Sequence, residues 1–509
     1  MPEYRRLIES SVCALSEVRN RGYRGNGSFS DAYRELIERY ACDKFHVYYS
    51  PESENGRLLP AERSIQITLS WVCSPRPVRF GNIDNVGGAD VVILSRFRNI
   101  DIPGFYCVGA NDYAVLWMRD GLTIPSGENM ANNSLAHPLK ELVGVFIVGL
   151  FLIGVGMLLL PRVRNGHVCV TTYFCAIAVF SVAAFFSLSH TFVAPTGLGV
   201  FGGKAKLLYY CNGFPDGFFR DFSRSTLQPS YVPGLSLLTL VAYLFSKGAG
   251  EWMTQLIAVF PMLLLAVIMC IRSESFIVRV WVVTSLLTPL SLQLSSLYYA
   301  EPFVAMFMLL GWSRIRDGNG GGVSWFLIGV AGLFKNEGIL LFVFCWFAIR
   351  TVFGNGLASL SGLFWGLLLP IVWQIGCRLI GGTLYDFASI WDPDAMQALS
   401  SMWYFIKIAI IHPWNYAGVC VALLLCSFVL RINQHFNRCE FNIDWIKVVV
   451  IVGILSMIVY AYVFSLSRAD DFEWHLTTSA ARLLWPPAML IMFELVIQIE
   501  MLLVRESKR

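Results

Sequence analysis

From residue 138 onward the chain is dominated by long apolar runs with few polar interruptions. They lie at about 138–160, 168–189, 253–271, 276–297, 357–380, 415–430, 446–466 and 483–504. Most reach the roughly 20 residues that a helix needs to cross the hydrocarbon core. Shorter runs at 232–245, 301–312, 323–334 and 338–349 predict tilted, half-length or re-entrant helices. Together they predict ten to twelve crossings.

The first 137 residues follow a different pattern. Residues 2–18 and 30–42 have helical periodicity. In the second, Ser30 or Asp31 is a cap and Tyr33, Leu36, Ile37 and Tyr40 form one stripe. Residues 60–72 read as a further helix. Residues 45–49, 90–95, 105–108 and 113–118 read as strands, the last two joined by a Gly-Ala-Asn-Asp turn. No glycine-rich phosphate loop follows a strand, so a nucleotide fold is not indicated. Residues 126–137 are mostly polar and read as a linker. The expected fold is mostly α: a polytopic helical membrane domain over 138–509, preceded by a small α/β soluble domain with its linker over 1–137.

Composition sharpens this division. Residues 1–137 hold 15 Lys/Arg and 16 Asp/Glu, whereas the 372 that follow hold 24 and 19. The first density is that of a soluble domain, typically about a quarter charged. The second is about half of it. Over the whole chain 56% of residues are hydrophobic and 15% charged, which excludes one large soluble enzyme and a disordered protein. A net charge of +4 over 509 residues gives no polyanion signature, so no nucleic-acid partner is expected. The 13 cysteines show no CxxC spacing and no Cys/His cluster, so no zinc site is expected.

Positive charges set the expected orientation. Arg162, Arg164, Arg272, Arg279, Arg314, Arg316, Arg350, Arg431, Arg438, Lys447 and Arg505 flank the apolar runs. Placing them in the cytoplasm works if 232–245 does not cross completely. Most of the Asp, Glu and His of this half then gathers on the opposite face, which is the expected working face. The same assignment puts residues 1–137 outside, which calls for an upstream helix that this chain lacks or a count off by one.

Four stretches on that face carry candidate chemistry. The 190–232 loop holds His190, Lys204, Lys206, Asp216, Arg220, Asp221 and Arg224 among aromatics. Cations beside aromatics suit a phosphate and a sugar or apolar surface, although an amphipathic helix with snorkelling lysines has the same spacing. Glu301 begins one apolar run. Lys335 and Glu337 interrupt another. Asp470, Asp471, Glu473, His475 and Arg482 lead into the last. Ionisable groups at membrane depth are costly unless paired, which makes them functional candidates.

These marks, in this order, resemble the GT-C glycosyltransferases, polytopic enzymes that use lipid-linked sugars. Tyr231-Val-Pro-Gly-Leu resembles that family's Tyr-Pro-Pro-Gly/Leu segment, and Tyr299-Ala-Glu-Pro an acidic helix start. Leu333-Phe-Lys-Asn-Glu-Gly resembles the Lys-x-Glu-Gly segment of bacterial members, and His475-Leu-Thr-Thr-Ser-Ala-Ala-Arg482 an end segment of uncharacterised ones. The resemblance covers roughly residues 138–509. It implies transfer of a sugar from a polyprenyl-phosphate donor to a glycan, lipid or protein acceptor at the outer face of the bacterial inner (cytoplasmic) membrane. It implies an Asp or Glu as general base. Cations, and in some members a divalent cation, would hold the leaving phosphate. Carried onto this chain, the catalytic candidates are Asp221, Asp216 and Glu301. The substrate-binding candidates are Lys204, Lys206, Arg220, Tyr231, Lys335, Glu337, His475 and Arg482.

There is one departure. Relatives carry an acid shortly before a Trp-x-x-Lys-Ala-Lys-like stretch. Here Phe201-Gly-Gly-Lys-Ala-Lys206 is preceded by Thr196-Gly-Leu-Gly, with no carboxylate. Asp216 and Asp221 are the nearest acids. Asp221 is preferred because it lies nearer the segment that re-enters the membrane. The alternatives are a transporter or lipid flippase, which favours charges deep in spans, and a non-catalytic membrane scaffold.

Overall fold

The computed structural model describes short strands between residues 47 and 119, then residues 138–160, 170–189, 196–210, 212–214, 231–246, 253–379, 395–411, 443–465 and 472–507. The chain divides into two compact units. The first comprises Met1–Val148, Leu188–Ile257 and Cys377–Tyr385; the second comprises Gly149–Ser187, Ala258–Gly376 and Asp386–Arg509.

Among the described residues of the first unit, the strands are β1 (Val47–Ser50), β2 (Ser53–Glu54), β3 (Arg57–Leu58), β4 (Val78–Phe80), β5 (Val91–Ser95), β6 (Phe105–Ala110) and β7 (Ala114–Arg119). Five of them form a mixed sheet in the order β4-β1-β5-β7-β6. β1 runs parallel to β4 and β5, pairing Val47 with Val78 and Val91. β7 is antiparallel to β5 and β6, with an irregularity between Cys107 and Gly109. The four expected strands correspond to β1, β5, β6 and β7. The helices expected at 2–18, 30–42 and 60–72 lie outside the described residues.

The helices are α1 (Pro138–Leu159), α2 (Val170–Ser189), α3 (Lys204–Tyr210), α4 (Gly234–Ser246), α5 (Phe260–Cys270), α6 (Phe276–Leu286), α7 (Pro289–Ser296), α8 (Glu301–Arg316), α9 (Gly322–Phe334), α10 (Asn336–Phe353), α11 (Leu360–Leu379), α12 (Ala395–Ile411), α13 (Ile443–Ser465) and α14 (Phe472–Ser507). Among the described residues, five helices are long and apolar enough to cross a membrane: Val170–Leu188, Asn336–Phe353, Leu360–Leu379, Asp444–Ser465 and Ser479–Met501. A bent pair, α6 with α7, makes up to six. By length and composition this is a mostly helical, multi-pass membrane protein.

The expected uninterrupted run at 276–297 is broken: α6 and α7 meet at 58°. The cause is local. Pro289 opens α7 and cannot donate to the preceding turn, while the Thr288 side chain caps the new helix by accepting from the Ser291 N–H. Helix α12 was not expected. The run expected at 415–430 lies outside the described residues.

In the second unit α8 and α14 run in parallel. Glu301 and Arg482 meet near their starts, and the Trp312 indole N–H donates to Glu494 Oε1 (2.8 Å) further along both. The core here is wholly buried, with Trp312, Trp325, Phe303 and Trp485 among its largest side chains. Glycine permits the closest approaches: a Cβ on Gly329 would run into the Gly366 carbonyl of α11, and one on Gly338 into the Ala331 carbonyl of α9.

Candidate functional site

The candidate site lies in the second unit, where three sequence-distant segments meet. Between α7 and α8 the chain reverses through Tyr298, whose φ of 60° is unusual for a bulky residue. The reversal leaves Glu301 on the first turn of α8, 1% exposed. Between α9 and α10 the helix is interrupted at Lys335, which is extended (φ −155°, ψ 139°). The Gly338 N–H then bonds back to the Lys335 carbonyl, and stacking of Phe334 on Phe303 (4.7 Å between centroids) anchors the interruption against α8. The third segment is the first part of α14, which carries Arg482.

These elements direct four ionisable side chains together. Lys335 Nζ donates to Glu301 Oε1 at 2.9 Å and lies 3.6 Å from Glu337 Oε1. Arg482 Nη1 lies 3.8 Å from the same Glu301 oxygen. Arg482 also donates to Ser479 Oγ (3.1 Å) and stands 4.4 Å from the centre of the Tyr299 ring. The carboxylate of Glu301 is therefore held between two cations. Glu337 is held from one side only, and its Oε2 is buried without a hydrogen-bond partner among the described residues.

Of the residues singled out in the sequence, this arrangement unites Glu301, Lys335, Glu337 and Arg482. Lys204 and Tyr231 belong to the first unit. There the segment expected as an external loop carries a π-helical stretch, Thr196–Gly203, that runs into α3. Lys204 is fully buried and donates to the Tyr231 carbonyl at 2.8 Å, while the Phe201 ring packs edge-on against Tyr231 at 5.8 Å. Lys204 thus ties the 201–206 and 231–234 segments to each other instead of facing open solvent. Burial pulls its ammonium down to about 7 from an ordinary 10.5. Lys206 and His475 fall on α3 and α14, with side chains outside the described part. Asp216, Arg220 and Asp221 lie outside the described residues.

Sequence reasoning took Arg272, Arg279 and Arg316 only as orientation charges and missed the polar cluster they build at a second end of the same unit. Arg272 forms a two-pronged pair with Asp317 (2.5 and 2.8 Å) and donates to the Ser313 carbonyl (2.9 Å). Glu500 accepts from the backbone N–H groups of Glu274 (2.8 Å) and Ser275 (3.2 Å), and Arg279 donates twice to the Ser273 carbonyl. Between the two ends, Glu494 is wholly buried, bonded to Trp312 and 3.5 Å from Arg316. Glu494 could have been found as one of two carboxylates, with Glu500, inside the apolar run 483–504.

The described residues do not fit a divalent cation. No group of three His, Cys, Asp or Glu converges among them, and the Glu301 carboxylate is already shared by two cations. No protein-family model, curated protein or solved structure matches this chain.

Proposed function

We propose that this protein is an inner-membrane glycosyltransferase of GT-C type. On this reading it has ten to twelve crossings and a small α/β soluble domain at its start. It moves a sugar from a polyprenyl-phosphate donor to a glycan, lipid or protein acceptor on the extracytoplasmic face. The observation that supports the reading is the meeting of Glu301, Lys335, Glu337 and Arg482, drawn from three separate motifs into one partly buried cluster.

The chemistry follows from the charges. The acceptor hydroxyl attacks the anomeric carbon and gives its proton to a general-base carboxylate. The bond from that carbon to the phosphate oxygen breaks, and the leaving phosphate gains charge. Lys335 and Arg482 are the cations available to stabilise it. Two cations facing two carboxylates are formally neutral, so an arriving phosphate must displace the weaker hold. That is Glu337, whose side chain is 29% exposed and 3.6 Å from Lys335, while Glu301 is 2% exposed and 2.9 Å away. Glu301 keeps Lys335 and Arg482 aimed at one point.

The test is transfer or hydrolysis of a panel of polyprenyl-phosphate hexoses by the full chain in nanodiscs. Turnover that falls at least about a hundredfold in Arg482→Ala is expected. Absence of both binding and turnover across the panel would sink the reading.

A transporter or flippase is the second reading, favoured by the polar interior of α14. Glu494 is wholly buried, and Gln498, 2% exposed, has neither amide atom hydrogen-bonded among the described residues. Movement of a fluorescent lipid-linked sugar across proteoliposomes, abolished by Glu494→Gln, would select it.

A further inference from the structure

Two helices of the second unit end through a glycine at positive φ. Gly318 follows α8 at 82° and Gly354 follows α10 at 73°, and a Cβ at either would meet open space. The end of α7 breaks this pattern. The Leu297 N–H donates to the Gln293 carbonyl (3.0 Å) and the Tyr299 N–H to the Leu294 carbonyl (3.3 Å). That is the closure of a helix whose next residue is left-handed. The left-handed residue is Tyr298, at φ 60°. A Cβ in this conformation crowds the following carbonyl oxygen, so glycine is the ordinary choice. Among the described non-glycine residues only Asn212 shares a positive φ, and asparagine tolerates it.

The side chain accounts for the departure. Tyr298 is 1% exposed and is among the largest fully buried side chains. With its ring locked in the core while its backbone makes the turn, the reversal has one setting. What the reversal delivers is the candidate site. Before it, Ser291 accepts from the Trp485 indole N–H at 3.0 Å. After it, the centre of the Tyr299 ring lies 4.4 Å from the guanidinium of Arg482, one turn before Trp485 on α14. These two contacts straddle Tyr298 and fix both arms of the reversal against the same part of α14. Just beyond, Glu301 enters α8 with its Oε1 2.9 Å from Lys335 and 3.8 Å from Arg482. A swing of the backbone at Tyr298 would move Tyr299 and Glu301 together, and with them the point on which both cations converge.

We propose that Tyr298 is a positioning residue for sugar transfer: its buried ring locks the left-handed reversal that sets Tyr299 against Arg482 and Glu301 between Lys335 and Arg482. It rests on the glycosyltransferase reading for the reaction. Tyr298 acts through Tyr299 and Glu301 and touches neither donor nor acceptor.

The experiment uses the full chain in nanodiscs. Tyr298→Gly leaves the left-handed backbone accessible but removes the ring that locks it, whereas Tyr298→Phe keeps the ring. Each is made alone and together with Arg482→Ala, and transfer from undecaprenyl-phosphate glucose, mannose and galactose is measured per folded molecule. Tyr298→Gly should lower kcat about tenfold to a hundredfold, as for a displacement of about 1 Å in a positioned group, with donor KM moved less than about threefold. Tyr298→Phe should stay within about threefold of the unaltered protein. With Arg482→Ala already present, Tyr298→Gly should cost less than about threefold more, because the cation it aims is gone. If Tyr298→Gly does not fold, Tyr298→Leu, which keeps much of the apolar volume without the ring, takes its place with the same expectations. An unchanged kcat, or a loss carried in full into the Arg482→Ala background, overturns the proposal: Tyr298 then only fills the core. If the unaltered chain neither binds nor transfers any of the three sugars, the glycosyltransferase reading fails, and unfolding in the same nanodiscs decides the positioning role alone. Arg482→Ala should then lower the unfolding midpoint of the unaltered chain and shift that of Tyr298→Gly clearly less; equal shifts overturn it.

Discussion

The two polar ends of the α8–α14 pair use the same residue types to opposite effect. At the Arg272 end the pairing is two-sided, although the buried Arg272 Nε has no hydrogen-bond partner among the described residues. The guanidinium meets both oxygens of Asp317, and Glu500 caps the N-terminal N–H groups that precede α6. Such two-sided bonding fixes geometry and leaves little for a visitor. At the Glu301 end the bonds are one-sided. Two cations converge on one carboxylate oxygen, and Glu337 keeps an unpaired atom. Two-sided pairing of a guanidinium with a carboxylate locks two helices together, whereas the one-sided pairing at Glu301 holds them while leaving the neighbouring Glu337 more loosely held.

The comparison makes its strongest demand at Lys335. Lys335→Met leaves Glu301 without its close partner, and breaking a buried pair costs roughly 3–5 kcal/mol. Unfolding in detergent micelles should show a loss near the lower figure, since Arg482 remains. Adding Glu301→Leu should return most of the stability and none of the sugar transfer. Recovery of transfer in the double variant would erase the distinction between the ends.

Asp317→Asn probes the two-sided end. It should destabilise the protein by about 2 kcal/mol, less than a full buried pair because Asp317 is 21% exposed. Turnover per folded molecule should stay unchanged. A parallel fall in turnover would mean that both ends serve the reaction.

The buried Lys204, bonded to the Tyr231 carbonyl, offers a third contrast, read by pH. Folding holds Lys204 at about 7, well below its ordinary 10.5, so the unfolded chain binds more protons between those values. The penalty is full below pH 7 and is relieved as pH rises toward 10.5. Lys204→Met should therefore lose ground relative to the unaltered protein as pH rises from 6.5 to 9.5. A constant difference would contradict this. The smallest effect is expected at Lys447, exposed beside Asp444 at 2.7 Å: Lys447→Ala should change stability by less than about 0.5 kcal/mol.

Much of this was legible from pattern. The apolar runs placed α8, α9, α10 and α13 to within a few residues, because a helix buried in lipid or in packed protein is apolar along most of its length. β5 and β7 were legible from concentrated Val, Leu, Ile and Trp. Helix α12 escaped because Gln397, Ser400, Ser401 and Lys407 interrupt its apolar stripe of Met396, Leu399 and Trp403. The bend at Pro289 was written in the sequence, but the apolarity of its flanks outweighed it. Glu301, Lys335 and Arg482 were visible as charges at the ends of apolar runs.

The length of α8 has a consequence for the surrounding lipid. Glu301 and Arg316 stand at its two ends, fifteen residues apart, which is about 22 Å of helical rise. A hydrocarbon slab is about 30 Å thick. The charged ends of this helix are closer together than the two leaflets' headgroups would place them. If α8 crosses the membrane, as the glycosyltransferase reading has it, the bilayer would thin around this part of the protein or water would descend to meet at least one end. A long-chain lipid carrier arriving there would find its own headgroup drawn several ångströms toward the midplane, so hydrophobic mismatch itself would help deliver it to Lys335 and Arg482.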